Sequence, residues 1–259
     1  YELAKNSAEV NNLHSGPDYY RDRIWDAEVE ETALGTTITF GLHSPDGDQG
    51  YPGNADITVS YTLTPDNCLK LDYHMVSDAD TIANFTNHVY FNLGGYKSGS
   101  ALDQKVWIDA DYFTATDANS IPTGELVAVK GTPMDFTEMK PIGRDIQEDY
   151  QALKYGNGYD HNWALNHPAG ELSLSAKAED EKTGRTMEVY TDLPGVQFYT
   201  ANSLKTERGK NHAVYTPRCG YCFETQYFPD AINKPEFASP VVKAGEEYKT
   251  TTIYKFGVK

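Results

Sequence analysis

Ile57-Thr58-Val59-Ser60-Tyr61-Thr62-Leu63, then Thr64-Pro65-Asp66-Asn67, then Leu69-Lys70-Leu71-Asp72-Tyr73-His74-Met75 are two alternating runs joined by a short polar linker. Alternation with a period of two sends every second side chain to one face of an extended chain, so each run reads as a half-buried strand. Val, Ile, Thr and Tyr suit a pleated surface. Pro and Asn in the linker suit a tight reversal. The stretch therefore predicts an antiparallel hairpin with one apolar face that something else must cover.

The same alternation returns in Ile38-Thr39-Phe40-Gly41-Leu42, Val106-Trp107-Ile108, Leu172-Ser173-Leu174-Ser175-Ala176, Met187-Glu188-Val189-Tyr190 and Thr250-Thr251-Thr252-Ile253-Tyr254-Lys255-Phe256. Ser44-Pro45-Asp46-Gly47-Asp48, Asp180-Glu181-Lys182-Thr183-Gly184 and Asp192-Leu193-Pro194-Gly195 carry the residues of reversals between strands. One short amphipathic helix is expected near Pro141 to Tyr150 and none longer than about two turns elsewhere. Strands this numerous must stack or close to bury their apolar faces, so the chain is expected to be all-β, an antiparallel sandwich or barrel. Residues 112–158 alternate less and are expected as long loops, where rigid β scaffolds carry binding groups. No repeat or Gly/Ser/Pro-rich linker breaks the chain, so residues 1–259 are expected to form one domain.

Against 22 basic residues stand 38 acidic ones, a formal charge of -16, which repels phosphate backbones and anionic lipid. Nucleic acid and membrane are thereby excluded as expected partners. No apolar run approaches the roughly 20 residues of a membrane span, and the first residues lack the basic and apolar regions of a signal peptide. Three cysteines, Cys68, Cys219 and Cys222, leave at least one thiol free, which fits a reducing compartment such as the cytoplasm. Cys219 and Cys222 form a Cys-x-x-Cys, but no thioredoxin-like helix and no second cysteine pair accompany it. Small apolar packing is the plainer expectation for both.

Candidate chemistry begins with Gly220-Tyr221-Cys222-Phe223-Glu224-Thr225-Gln226-Tyr227-Phe228, an uncharged, aromatic-rich strand pattern interrupted by one carboxylate. A carboxylate withdrawn from water has its pKa raised towards neutrality and can exchange protons there. The alternative is that Glu224 faces solvent from the polar side of its strand. A second strand pattern, Asn84-Phe85-Thr86-Asn87-His88-Val89-Tyr90-Phe91-Asn92-Leu93-Gly94-Gly95, sets His88 among apolar and amide residues, so His88 and Glu224 are candidates for one acid/base pair.

Taken together with Asn12-Leu13-His14-Ser15-Gly16-Pro17, Pro122-Thr123-Gly124-Glu125, Gly131-Thr132-Pro133-Met134-Asp135-Phe136, Gly158-Tyr159-Asp160-His161-Asn162 and Gly195-Val196-Gln197-Phe198-Tyr199, these segments resemble the aldose 1-epimerase (galactose mutarotase) family, in the family's order and along the whole chain. The resemblance implies a large twisted antiparallel β-sandwich and interconversion of the α and β anomers of free hexoses such as galactose and glucose. It implies Glu224 as catalytic base and His88 as catalytic acid, with His14, Asp160 and Gln197 holding sugar hydroxyls and Tyr90 lining the pocket. It implies no metal and no organic cofactor, and a monomer or weak dimer is expected. His14-Ser15-Gly16 stands where His-Gly-Gly is common, which leaves the imidazole in place. The family's N-terminal strands, with an Asn-Arg pair, have no match in residues 1–13, so a trimmed chain and a naturally short form both stay open.

Other functions compete with that one. A hexose-6-phosphate 1-epimerase would grip a phosphate, yet the six arginines, at positions 21, 23, 144, 185, 208 and 218, do not cluster near the sugar motifs. A non-catalytic carbohydrate-binding protein could keep the same fold. A glycoside hydrolase could pair Glu224 with Asp160 but leaves His88 without a role. A metal site from His14, Asp160 and His161 lacks a supporting His-x-His or His-x-x-x-His spacing.

Overall fold

The hairpin expected from residues 57–75 is present in the computed structural model, which describes residues 1–259. In chain order the strands are β1 Asp26–Thr32, β2 Gly35–Ser44, β3 Ala55–Leu63, β4 Cys68–Ser77, β5 Thr81–Ile82, β6 Lys105–Ile108, β7 Tyr112–Thr116, β8 Pro122–Ala128, β9 Lys140–Pro141, β10 Asp160–Ala164, β11 Ser173–Glu179, β12 Arg185–Thr191, β13 Gly195–Tyr199, β14 Glu207–Arg208, β15 Val214–Tyr215, β16 Cys222–Gln226, β17 Val241–Val242 and β18 Glu247–Val258. One short α-helix, α1 Gln151–Gly156, interrupts them. No helix is long and apolar enough to cross a membrane.

The chain groups into two units, Tyr1–Phe85 with Ser239–Thr251, and Thr86–Ala238 with Thr252–Lys259. In the first, β1, β2, β3 and β4 pair antiparallel in sequence order. Ile57 lies opposite Met75, Val59 opposite Tyr73 and Tyr61 opposite Leu71, so the alternation read from the sequence becomes one apolar face. Ile57, Leu71, Tyr73 and Met75 are buried in it. Phe85 extends this core, with its ring stacked 6.4 Å from Tyr73 and edge-on 5.6 Å from Tyr248.

The second unit is a sandwich of two antiparallel sheets. Residues 252–258 of β18 pair with β12, then β11, β6 and β9 follow. The other sheet runs β16, β13, β10, β7, β8. Between them lie Val106, Ile108, Ala176, Met187, Val189 and Tyr254 from the first sheet and Phe113, Trp163, Val196, Phe198 and Phe223 from the second, all buried. The layers are also joined by polar contacts: Thr225 and Thr252 hydroxyls are 2.5 Å apart, and the Tyr254 hydroxyl donates to the Phe223 carbonyl at 2.9 Å.

Three expectations change on contact with the fold, and one alternative falls. Residues 112–158 hold β7, β8, β9 and α1 as well as loops, and the helix follows Tyr150 instead of preceding it. Asn84 to Gly95 is not a strand. Its only ladder contact is the bridge of Phe91 with Tyr221, because its amides are engaged elsewhere: Asn87 donates to the Tyr254 hydroxyl, and Asn92 Oδ1 accepts from Gly94, Ser98 and Gln104. Glu224, finally, is 6% exposed, so the solvent-facing alternative does not hold.

Candidate active site

Three neighbouring strands of the second unit build the site. Antiparallel register sets Asp160 on β10 opposite Tyr199 on β13, Asn162 opposite Gln197, Gln197 opposite Glu224 on β16, and Tyr199 opposite Cys222. Directly opposed residues share a face. One face therefore gathers Asp160, Asn162, Gln197, Tyr199, Cys222, Glu224 and Gln226, while the alternate residues His161, Trp163, Val196, Phe198, Phe223 and Thr225 fill the sandwich core. Apolar side chains dominate the inner face and polar ones the outer face, with His161 and Thr225 as polar residues turned inward.

His88 comes to this face from the segment after Phe85. Its Nε2 lies 3.4 Å from Glu224 Oε1, and its Nδ1 lies 3.3 Å from Cys222 Sγ. The Tyr90 ring stacks on the imidazole at 5.1 Å, and Tyr199 stands edge-on to both rings at 5.9 and 6.2 Å. On the strand next to Glu224, Gln197 Nε2 donates to Asp160 Oδ1, one strand further on, at 2.8 Å. Behind them, Gln226 Nε2 donates to Asn162 Oδ1 at 3.2 Å and approaches Gln197 Oε1 at 3.5 Å.

Burial sets the electrostatics. Loss of water, reinforced by the negative charge of Asp160, pushes Glu224 up to about 8. Asp160 is pushed up to about 6 by desolvation, against which the Gln197 amide works. Desolvation, with Glu224 and Asp160 nearby, also raises the Cys222 thiol, so it stays protonated. Two carboxylates on one buried face cannot both ionise freely without cationic help, and the group nearest Glu224 that could supply it is the His88 imidazole, 3.4 Å away.

The strands are held in place from behind. The Tyr159 carbonyl, one residue before Asp160, accepts from Thr200 N at 3.1 Å, Thr200 Oγ1 at 3.1 Å and Asn202 Nδ2 at 2.9 Å. Gly158 has φ +128° and a Cβ there would stand 2.5 Å from Asn202 Oδ1, so the turn into β10 requires glycine. The Thr132 to Phe136 motif buttresses the same strand: Trp163 Nε1 donates to Met134 O, Tyr159 Oη donates to Pro133 O, and Phe136 packs edge-on against Tyr159, Trp163 and Phe198.

Of the residues expected at the site, His88, Tyr90, Asp160, Gln197 and Glu224 meet on this face. His14 lies in the first unit, exposed, in a loop where it and Ser15 have φ of +53° and +56° and the Asn12 amide donates to Gly16 O at 3.0 Å. His161 faces away from Asp160 into the core, against Phe113 and Trp163, where burial depresses it to about 4. A metal site shared by Asp160 and His161 is therefore not formed. Tyr199, Cys222, Asn162 and Gln226 were not singled out from the sequence as site residues. The signal was available, since each stands two residues from one that was.

Chemically, the face offers a carboxylate and an imidazole close enough to pass protons to two atoms on one carbon, a second carboxylate with an amide suited to vicinal hydroxyls, and an aromatic wall. The aldose 1-epimerase family profile matches residues 1–255. Human galactose mutarotase is 40% identical over 259 residues, spanning 100% of this chain and 72% of the human protein. Escherichia coli K12 aldose 1-epimerase is 35% identical over 252 residues, 96% of this chain and 71% of its own length. Among solved structures, galactose 1-epimerase from Lactobacillus acidophilus superposes with a TM-score of 0.86 at 28% identity, covering 99% of this chain and 73% of that one.

Proposed function

The chain belongs to the aldose 1-epimerase family and is an isomerase of that class, and from this premise we propose that it interconverts the anomers of free hexoses, galactose and glucose among them, with Glu224 as base and His88 as acid. The observation that carries the assignment is the 3.4 Å approach of His88 Nε2 to Glu224 Oε1 on a buried polar face. The hydroxyl oxygen O1 and the ring oxygen O5 hang on the same carbon, so an acid and a base that serve them must be neighbours.

Ionised Glu224 takes the proton of the C1 hydroxyl, and the electron pair of that O–H bond forms the carbonyl. The C1–O5 bond breaks with its pair going to O5, and His88 Nε2–H protonates O5. Rotation about C1–C2 presents the other face of the aldehyde. On closure His88 takes the O5 proton back, O5 attacks C1, and Glu224 returns its proton to O1. Glu224 is thus protonated and His88 neutral in the open-chain state, and the reverse holds in the ring states. A carboxyl brought up to about 8 lies near neutrality and can occupy both states at small cost.

Asp160, oriented by Gln197, accepts hydrogen bonds from sugar hydroxyls, Tyr90 and Tyr199 wall the ring, and His14 is assigned to a further hydroxyl. No step asks for a metal or an organic cofactor. Polarimetry on freshly dissolved α-D-galactose and α-D-glucose tests the assignment: Glu224→Gln and His88→Asn are each expected to lose roughly 100-fold to 10,000-fold in kcat while remaining folded. Full activity in either would remove that residue from its role.

A further inference from the structure

Cys222 and Glu224 are two residues apart on β16 and point to the same face, and the imidazole of His88 lies along the strand so that each meets one of its nitrogens: Nδ1 with Sγ at 3.3 Å, Nε2 with Oε1 at 3.4 Å. We propose that Cys222 is a positioning residue for the epimerisation, accepting a hydrogen bond from His88 Nδ1–H and thereby keeping Nε2 as the nitrogen that gives and takes the proton of the ring oxygen. This inference rests on His88 as the acid.

The chemistry of the exchange requires such a partner. An imidazolium that has given up its Nε2 proton leaves a neutral ring with the hydrogen on Nδ1 and the lone pair on Nε2, which is the tautomer needed to take the proton back on ring closure. The other tautomer presents Nε2–H, and ring closure cannot use it. A group that accepts from Nδ1–H in both the charged and the neutral ring holds the productive tautomer through the whole cycle. Cys222 Sγ can do so because the thiol, entirely buried and set beside two carboxylates, stays uncharged. Sulfur is a weak acceptor. It fixes direction without adding a third negative charge to a face that already carries Asp160 and Glu224, as a carboxylate in its place would.

Strand geometry makes the arrangement selective. Moving the cysteine by one residue would send its side chain into the core among Phe198 and Phe223, whose rings stack at 5.2 Å. Cys219, by contrast, lies in the bend before β16 and is partly exposed, so the two cysteines of the Cys-x-x-Cys have separate surroundings.

The test compares wild type, Cys222→Ala, Cys222→Ser and His88→Asn by polarimetry across pH, with circular dichroism melts to establish folding. Cys222→Ala is expected to lower kcat about tenfold with KM within about twofold, and to move the acidic limb of the kcat profile, the size following loss of an orienting partner to a functional histidine. Cys222→Ser, which restores an acceptor, is expected to recover most of the lost kcat. Histidine 15N chemical shifts should report Nδ1–H in neutral wild-type His88 and a tautomer mixture in Cys222→Ala. A Cys222→Ala variant with wild-type kcat, pH profile and tautomer overturns the inference. Full activity in His88→Asn would instead overturn the assignment of the acid, so the two failures are distinguishable.

Discussion

At the scale of the residue, Glu224 carries opposing demands. Catalysis wants a carboxyl near neutrality, and the fold supplies that by burying it at 6% exposure within reach of Asp160. Stability bears the consequence. The unfolded chain releases this proton near 4.5, while the native chain holds it up to about 8, so between those values the native state binds more protons and loses stability as pH rises. Below 4.5 both states are protonated and the carboxyl contributes no difference. At 1.36 kcal/mol per unit the loss is at most about 5 kcal/mol above pH 8. Glu224→Gln keeps the shape and cannot ionise. It is expected to melt with wild type at pH 4 and above wild type at pH 9, by thermal denaturation followed by circular dichroism. Equal melting temperatures at pH 9 would mean that Glu224 is not desolvated as described.

At the scale of the element, the site depends on how β10 enters its sheet. Three donors converge on the Tyr159 carbonyl, and Asn202 supplies one of them while its second amide hydrogen reaches Gly156 O at 3.0 Å and its Oδ1 accepts from Thr200 Oγ1 at 2.7 Å. Asn202→Ala removes the side-chain donor to Gly156 O and one of the donors to the Tyr159 carbonyl, at a cost of about 1–3 kcal/mol. Because Asp160 is the next residue and binds substrate in the proposed mechanism, KM is expected to rise more than kcat falls, in assays below the lowered melting temperature. A fall in kcat with KM unchanged would place the effect on Glu224 or His88 instead. The same element shows what the sequence could tell. Alternation named β2, β3, β4, β6, β11, β12 and β18, and a lone carboxylate in an uncharged strand pattern is visible in one dimension and named Glu224, whereas Asp160 was named from the family resemblance. Alternation could not tell which strands would be neighbours. The pairing of Gln197 with Glu224 joins positions far apart in the chain, so only register shows that Tyr199 stands beside Cys222 and Gln197 beside Glu224. His88 was named from its resemblance and its surroundings, yet its segment is no strand, because Asn87 and Asn92 bond across the fold and not along a ladder.

For the whole molecule, charge decides between a free sugar and a phosphorylated one. The chain carries a formal -16, and most of its arginines are engaged: Arg23 with Asp48, Arg144 with Asp145, Arg185 with the Leu93 carbonyl and Arg218 with the Asn157 carbonyl. On the face that holds Glu224 the second carboxylate is Asp160, and β10, β13 and β16 carry no lysine or arginine. A phosphate brought there meets carboxyl groups without a guanidinium fork from these strands to receive it. A neutral hexose meets no such barrier, and salt has nothing to screen in its approach. Raising NaCl from about 20 to about 300 mM shortens the Debye length severalfold, so it separates the two cases. KM for galactose and glucose is expected to stay within about twofold over that range, and the corresponding 6-phosphates are expected to bind at least tenfold more weakly at low salt, the gap narrowing as salt is added. A hexose 6-phosphate with a lower KM than its parent sugar, rising with salt, would show a cationic subsite at work and would move the substrate assignment to the phosphorylated sugar.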